Sequence, residues 1–258
     1  MTDDDPAAGD LVAAAHENYR AAFVGLAEER PDGVTRQFGP IIAVSAGLPV
    51  PEYNRAFVFD TPSRDEFASA VSWLETRGDP CWVTATAPVV EALGDVPEAF
   101  DLVECHSQPA MVRPSLAEIP SRASAAAIVP VTDATTFDEF VSVYSSVFDR
   151  STAVTDGAYR PSVSDEHTHL FVGRLEGRPV ACGVLFGHDG VAGVYAIGVL
   201  EGLRRRGLGK RMTETVLLTG RDAGCRIGAL QPSEMAISLY ERMGFEQVGT
   251  YHHFEPAH

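Results

Sequence analysis

The sequence predicts an α/β protein built in two parts, and three observations carry that expectation. Apolar segments of strand length alternate with segments whose apolar residues recur every three to four positions. The chain has 258 residues, more than one compact domain usually needs. Periodicity is lost between Pro109 and Ser124, where Pro114 and Pro120 stand among small polar residues. That loss places a domain boundary near residue 125, giving expected parts 1–125 and 126–258.

The first part opens on an amphipathic helix over residues 10–29, with Leu11, Ala14, Ala15, Tyr19, Phe23 and Leu26 on one face and a stop at Pro31-Asp32-Gly33. Apolar runs at 41–44 and 56–59 read as strands. A helix over 64–76 is capped by Ser63, and a β-rich run follows at 81–86. The second part starts with a strand at 127–131 and a helix at 137–148, then a loop rich in Asp, Ser and Pro. Strands at 170–175 and 180–186 are joined by turn residues Glu176-Gly177-Arg178-Pro179. A third strand covers 191–199. Leu208, Met212 and Val216 then mark a helix that stops near Gly220 to Gly224, and a strand at 226–230 follows. Ser233 is placed to cap a last helix running to Met243, ended by Gly244, before a final strand at 245–253.

Composition excludes several function classes. No stretch approaches the roughly 20 apolar residues of a membrane helix, and the acidic start has no apolar h-region, so a cytoplasmic protein without membrane partners is expected. Cys81, Cys105, Cys182 and Cys225 lie far apart without a CxxC pair, which argues against zinc and disulfides and for small buried apolar residues. Net charge is -16 with Lys210 the single lysine, a composition like that of salt-adapted cytoplasmic proteins, and one that opposes nucleic-acid binding. Of 36 acids only 7 follow residue 200, against 8 of the 20 bases, and five of those bases fall in the acid-free octet Arg204 to Arg211. An anionic ligand meets least repulsion there.

That octet sits in the most specific feature of the chain. The strand ending Ile197-Gly198-Val199 feeds Arg204-Arg205-Arg206-Gly207-Leu208-Gly209-Lys210 and then a helix. Glycines let backbone approach a phosphate, N–H groups converge at a helix start, and the helix dipole adds to the arginines. A Walker A loop is ruled out because position 204 is not glycine and Lys210 precedes Arg211, and the dinucleotide fingerprint fails at Met212.

The pattern [R/Q]-x-x-G-x-[G/A] between strand and helix resembles the acyl-CoA pyrophosphate loop of the GNAT N-acetyltransferase superfamily. Leu239-Tyr240-Glu241-Arg242-Met243-Gly244-Phe245 resembles the LYExxGF helix end of the same superfamily, about 30 residues later as that fold expects. The resemblance covers the second part. It implies a GNAT-type mixed central sheet flanked by helices, preceded by a smaller α/β domain, a degenerate GNAT-like partner at 1–125 with strand, helix and strand over 57–87. Such a partner binds no CoA, and covers one side of an acceptor cleft or mediates homodimer contacts.

The resemblance also implies acetyl-CoA as co-substrate, with no metal, and a small-molecule or peptide amine as acceptor. Carried over by position, Ile197, Gly198 and Val199 lend backbone groups to the pantetheine arm, Arg204 to Lys210 hold the pyrophosphate, and Tyr240 protonates the departing thiolate. Two departures stand out: Ser233 replaces a usual asparagine, and Glu201 a common proline. Ser233, Ile237 and Tyr240 would still share a helix face by their spacing, so the Ser233 hydroxyl is kept as a CoA contact. The strand 191–199 lacks the acid that often helps deprotonate the amine; Asp149 and Glu234 are conceivable bases, and the candidate acceptor loop 148–163 carries no decodable pattern. The missing acid keeps a non-catalytic acyl-CoA-binding regulatory module as the alternative. His167, His169, His252 and His253 lack a third ligand at metal spacing and read as structural or surface residues, and no G-x-S-x-G elbow supports a hydrolase.

Overall fold

The computed structural model describes residues 8–119 and 127–257, so the expected boundary near 125 lies outside the described residues. In chain order the elements are α1 (Ala8–Glu28), β1 (Val34–Phe38), β2 (Ile41–Ser45), β3 (Asn54–Val58), α2 (Arg64–Glu75), β4 (Trp82–Thr86), α3 (Ala87–Leu93) and β5 (Leu102–Arg113). Then come β6 (Ala127–Pro130), α4 (Ala134–Phe148), α5 (Thr152–Tyr159), β7 (Thr168–Leu175), β8 (Arg178–His188), β9 (Val191–Val199), α6 (Leu208–Asp222), β10 (Ile227–Leu230), α7 (Ile237–Glu241) and β11 (Glu246–Pro256).

Two compact units emerge, and neither is contiguous. Among the described residues, the first combines 8–19, 112–119, 127–230 and 236–246; the second combines 20–111, 231–235 and 247–257. The division therefore differs in kind from a single cut near residue 125, because the start of α1 belongs with the later chain and most of β11 with the earlier chain.

In the first unit the strands lie in the order β10-β9-β8-β7-β6. The β7-β8 and β8-β9 pairs are antiparallel hairpins, and β10 joins β9 in parallel. Both hairpins close through two residues with positive φ, Glu176 and Gly177 in one, Asp189 and Gly190 in the other, which match the twist of the flanking strands. The expected four-residue connection thus shortens to two, because Arg178 and Pro179 pair into the ladder. Helix α6 packs so closely on β9 that a Cβ at Gly220 would stand 2.6 Å from the Ala192 Cβ. Helix α4 is capped by Asp133, whose carboxylate accepts from the Thr136 N–H, so it starts earlier than the apolar pattern suggested. Buried Asn18 fixes α1 to this unit: its amide donates to the Phe186 and Val191 carbonyls and its oxygen accepts from the Tyr195 hydroxyl at 2.7 Å.

In the second unit the strand order is β1-β2-β3-β4-β11-β5, with β3 and β4 parallel and β4 and β11 antiparallel. Helix α2 buries Phe67, Ala70, Val71 and Leu74 against Ile41, Ala56 and Val83. Its start carries a reciprocal cap, Ser63 accepting from the Glu66 N–H while the Glu66 carboxylate accepts from the Ser63 N–H at 2.7 Å. Arg55 is buried under Phe23 with its guanidinium 4.2 Å from the ring centroid, and donates to the Glu52 carbonyl. His253 is fully buried, stacked on His106 at 4.3 Å and hydrogen-bonded through Nδ1 with Thr84.

Several elements depart from the sequence expectations. The segment after α4 holds α5, capped by Ser151, inside a stretch whose Asp, Ser and Pro content reads as loop. Pro109 lies within β5 rather than in irregular chain. Cys81, Cys182 and Cys225 are buried as expected, but Cys105 is exposed. No helix among the described residues is long and apolar enough to cross a membrane.

Candidate anion-binding active site

The site grows from the end of β9. Strand β10 pairs with β9 only over 191–193, while β8 continues alongside as far as Val199. The edge of β9 facing β10 is therefore open beyond Gly193 in the ladder register. A register shift between Cys182 and Val184 falls opposite Ala196, whose φ of 53° is left-handed, so β9 kinks before Ile197-Gly198-Val199. A short turn at 201–203 follows, and Arg204 Nε donates back to the Val199 carbonyl at 3.3 Å.

The loop then enters α6 without a side-chain cap. Gly207, at φ 80°, is the N-cap residue, and no acid lies in the first turn. Arg205 is also left-handed at φ 62°. The first turn leaves the N–H groups of Leu208, Gly209 and Lys210 without helical acceptors, at the positive end of a 15-residue helix. Arg204, Arg205, Arg206 and Gly207 are exposed around it. A Cβ at Gly209 would touch Val199 at 3.8 Å and Ile197 at 4.0 Å, so the glycine brings loop and strand together. Lys210 is engaged elsewhere: its Nζ stands 3.7 Å from the buried Glu214 carboxylate one turn on. Lys210 and Glu214 also line a cleft of about 270 Å³ with Arg113 and Arg242. Arg113 is anchored there by donating to the Met243, Glu118 and Ser115 carbonyls.

Tyr240 is carried by α7. It is 6% exposed and meets Phe245 edge to face at 5.6 Å. Burial pushes its phenol above the ordinary value, and the Thr213 contact pulls it back down. Thr213 in turn donates to the Gly209 carbonyl at 3.1 Å. At neutral pH the phenol is protonated.

The structure thus joins Ile197, Val199 and Gly209, with Tyr240 buried beside Phe245. It does not extend that set to Ser233 by the route the spacing suggested. The expected helix from 234 to 243 breaks into a 3-10 turn at Glu234–Ala236 and the five-residue α7, whose N-cap is Ala236. The shared face therefore holds for Ile237 and Tyr240 and is lost at Ser233, which is exposed and belongs to the second unit. Asp149 is the left-handed C-cap of α4, and Glu234 is exposed in the 3-10 turn. His167 and His169 line a separate cleft of about 430 Å³ with His188, at the far end of α6 beside Ala223 and Gly224. His252 pairs with Glu104 at 2.8 Å. Sequence reasoning passed over Thr213, Glu214 and Arg113; only Thr213 and Glu214 had a signal, as the i+4 neighbours of Gly209 and Lys210.

Residues 134–245 match the model of the acetyltransferase (GNAT) family. Solved structures of similar fold include a GCN5-related N-acetyltransferase from Kribbella flavida, with TM-score 0.72 at 19% identity over 95% of this chain and 96% of that one. Another, from Sphaerobacter thermophilus, gives TM-score 0.61 at 16% identity over 97% and 93%. A GCN5-related N-acetyltransferase-like protein from Streptococcus suis gives 0.57 at 12% identity over 95% and 96%. These likenesses establish the fold across nearly the whole chain. No curated protein matches the chain by sequence.

Proposed function

We propose, from the premise that residues 134–245 are a GNAT acetyltransferase domain, that the chain transfers an acetyl group from acetyl-CoA to a primary amine by direct attack in a ternary complex. The observation that carries this reading is the uncapped start of α6, where three free N–H groups and Arg204 to Arg206 surround a glycine with open space beside it. A pyrophosphate fits such a start. The open edge of β9 at Ile197-Gly198-Val199 offers backbone partners to the pantetheine amides. The cleft with Arg113 and Arg242 adds positive charge for the nucleotide end.

The reaction then needs little covalent help from the protein. The neutral amine nitrogen attacks the thioester carbonyl, the carbon–sulfur bond breaks with its electron pair going to sulfur, and Tyr240 donates its phenolic proton to that thiolate. The proton lost by the amine passes to solvent, and the tyrosinate is reprotonated from solvent. Positioning and this proton transfer supply the catalysis. In the second unit, β3, α2 and β4 support the reading of a degenerate GNAT-like partner that binds no CoA. A non-catalytic acyl-CoA-binding module is the second reading, favoured by the absence of a carboxylate along β9.

A thermal-melt titration with acetyl-CoA in concentrated potassium chloride tests the shared part of both readings. Ligand at about 100 times its dissociation constant stabilises the native state by about 2.7 kcal/mol. The shift is expected in wild type and lost in a Gly207→Glu, Gly209→Glu double variant; a folded wild type without any shift would overturn both readings. CoA release with a panel of primary amines then separates enzyme from binding module.

A further inference from the structure

Strand β9 bends where two of its residues, Ala196 and Ile197, face the single residue Gly183 of β8, between the pairs Cys182 with Gly198 and Val184 with Tyr195. Ala196 sits at φ 53°, a left-handed conformation that is costly for alanine and persists only where its surroundings hold it. On one face of the bulge Gly183 leaves room: a Cβ there would stand 2.6 Å from Met212 Cγ and 3.0 Å from Ile197 Cδ1. On the other, a Cβ at Gly198 would stand 2.9 Å from both Cys182 Sγ and Val147 Cγ1, and 3.2 Å from Phe148 Cε2. Cys182, fully buried, does more than fill that space. Its thiol donates to the carbonyl of Ala196, the strained residue, at 3.5 Å. Burial pushes the thiol up to about 12, so it keeps the proton it donates.

We propose that Cys182 is a positioning residue for the acyl-CoA arm, its thiol fixing the Ala196 carbonyl in the bulge and so setting how Ile197-Gly198-Val199 meets the ligand. This rests on the reading of that segment as the partner of the pantetheine amides. The peptide between Ala196 and Ile197 is planar and trans, so a carbonyl held toward Cys182 sends the Ile197 N–H the opposite way. One bond from β8 therefore settles the direction of the N–H that opens the segment. Without that bond the left-handed residue can relax toward ordinary strand geometry, and the rotation of one peptide would exchange carbonyl for N–H along the segment. Cysteine suits the place. It is small enough to lie against Gly198, apolar enough to be buried beside Val147 and Phe148, and still a donor.

The test reads the bulge and the ligand separately, in the full chain. Amide hydrogen exchange at residues 196–199 is expected to quicken about threefold in Cys182→Ala, the scale of one weak hydrogen bond, with β7 unchanged. Cys182→Ser, which keeps a donor, should follow wild type. If Cys182→Ala does not fold by circular dichroism, Cys182→Val, which fills the space without a donor, carries the same expectation. Exchange as slow as wild type in the folded variant, or a serine variant that falls with alanine, would overturn the bond as the cause. Calorimetric titration supplies the second arm. Acetyl-CoA should bind Cys182→Ala about threefold more weakly than wild type, whereas ADP, which has the pyrophosphate without the arm, should bind both equally. An equal loss for both ligands, or none for acetyl-CoA, would overturn the positioning role. A wild type that binds no acetyl-CoA would instead overturn the ligand reading, and the exchange comparison would still decide whether the thiol holds the bulge.

Discussion

Helices α2 and α6 occupy equivalent places in their units, each lying between two parallel strands, β3 and β4 in one case and β9 and β10 in the other. Their first turns are completed in opposite ways. At α2 the chain supplies its own anion: the Glu66 carboxylate folds back onto the Ser63 N–H and hydroxyl, and those bonds hold the carboxyl below the usual carboxylate range. At α6 there is no cap and no acid, only glycines and arginines. The same physics, unsatisfied N–H groups at a positive helix end, is closed internally in one unit and left uncapped by any side chain in the other. A serine and a glutamate three residues apart are enough to close such a helix start.

The comparison can be broken most sharply at Tyr240. Tyr240→Phe is expected to lower kcat about 100-fold with the first amine that turns over, the usual scale of a general acid, while acetyl-CoA affinity in the thermal titration stays at the wild-type value. An unchanged kcat would leave α6 as a binding site with no acid beside it.

A smaller effect separates the units by pH. Burial, together with the Arg55 charge and the neighbouring His106 and His252, pushes the His253 imidazole down to about 2 from 6.5. The unfolded chain therefore takes up a proton below 6.5 that the folded chain refuses, so this group leaves stability intact above 6.5 and lowers it as pH falls. The loss reaches about 2 kcal/mol near pH ~5. Urea titrations of wild type and His253→Gln should show a shallower acid slope in the variant; parallel slopes would remove the buried imidazole as the cause. The smallest effect tests the cap. Ser63→Ala should cost about 1 kcal/mol of stability without altering the acetyl-CoA shift, since α6 keeps its open first turn.

What the sequence disclosed follows the range of the forces involved. The loop at 204–210 was legible because glycine and arginine at fixed spacing have few other uses, and Ser63 announced α2 because capping is a local bond. Helix α3 was missed because it is short and begins at Ala87-Pro88, where proline reads as a break though it suits a first turn. Helix α5 was hidden by turn-forming residues, and β5 by Pro109 and a run of exposed positions that hides its inner face. Ser233 was placed on a helix face that a 3-10 turn interrupts. Thr213 lay open at i+4 from Gly209, whose carbonyl its hydroxyl bonds, but nothing local marked that hydroxyl as buried.

The bonds of Asn18 carry a consequence for how the molecule is made. Its three partners lie 168, 173 and 177 residues further along the chain. During synthesis Asn18 leaves the ribosome with α1 and waits for its partners until β8 and β9 have emerged. Closing so long a loop is slow, and the interval is one in which a chaperone or a neighbouring nascent chain competes for that helix. A fragment cut to residues 134–245 would escape the wait, but the Phe186 and Val191 carbonyls and the Tyr195 hydroxyl would face the space where Asn18 belongs.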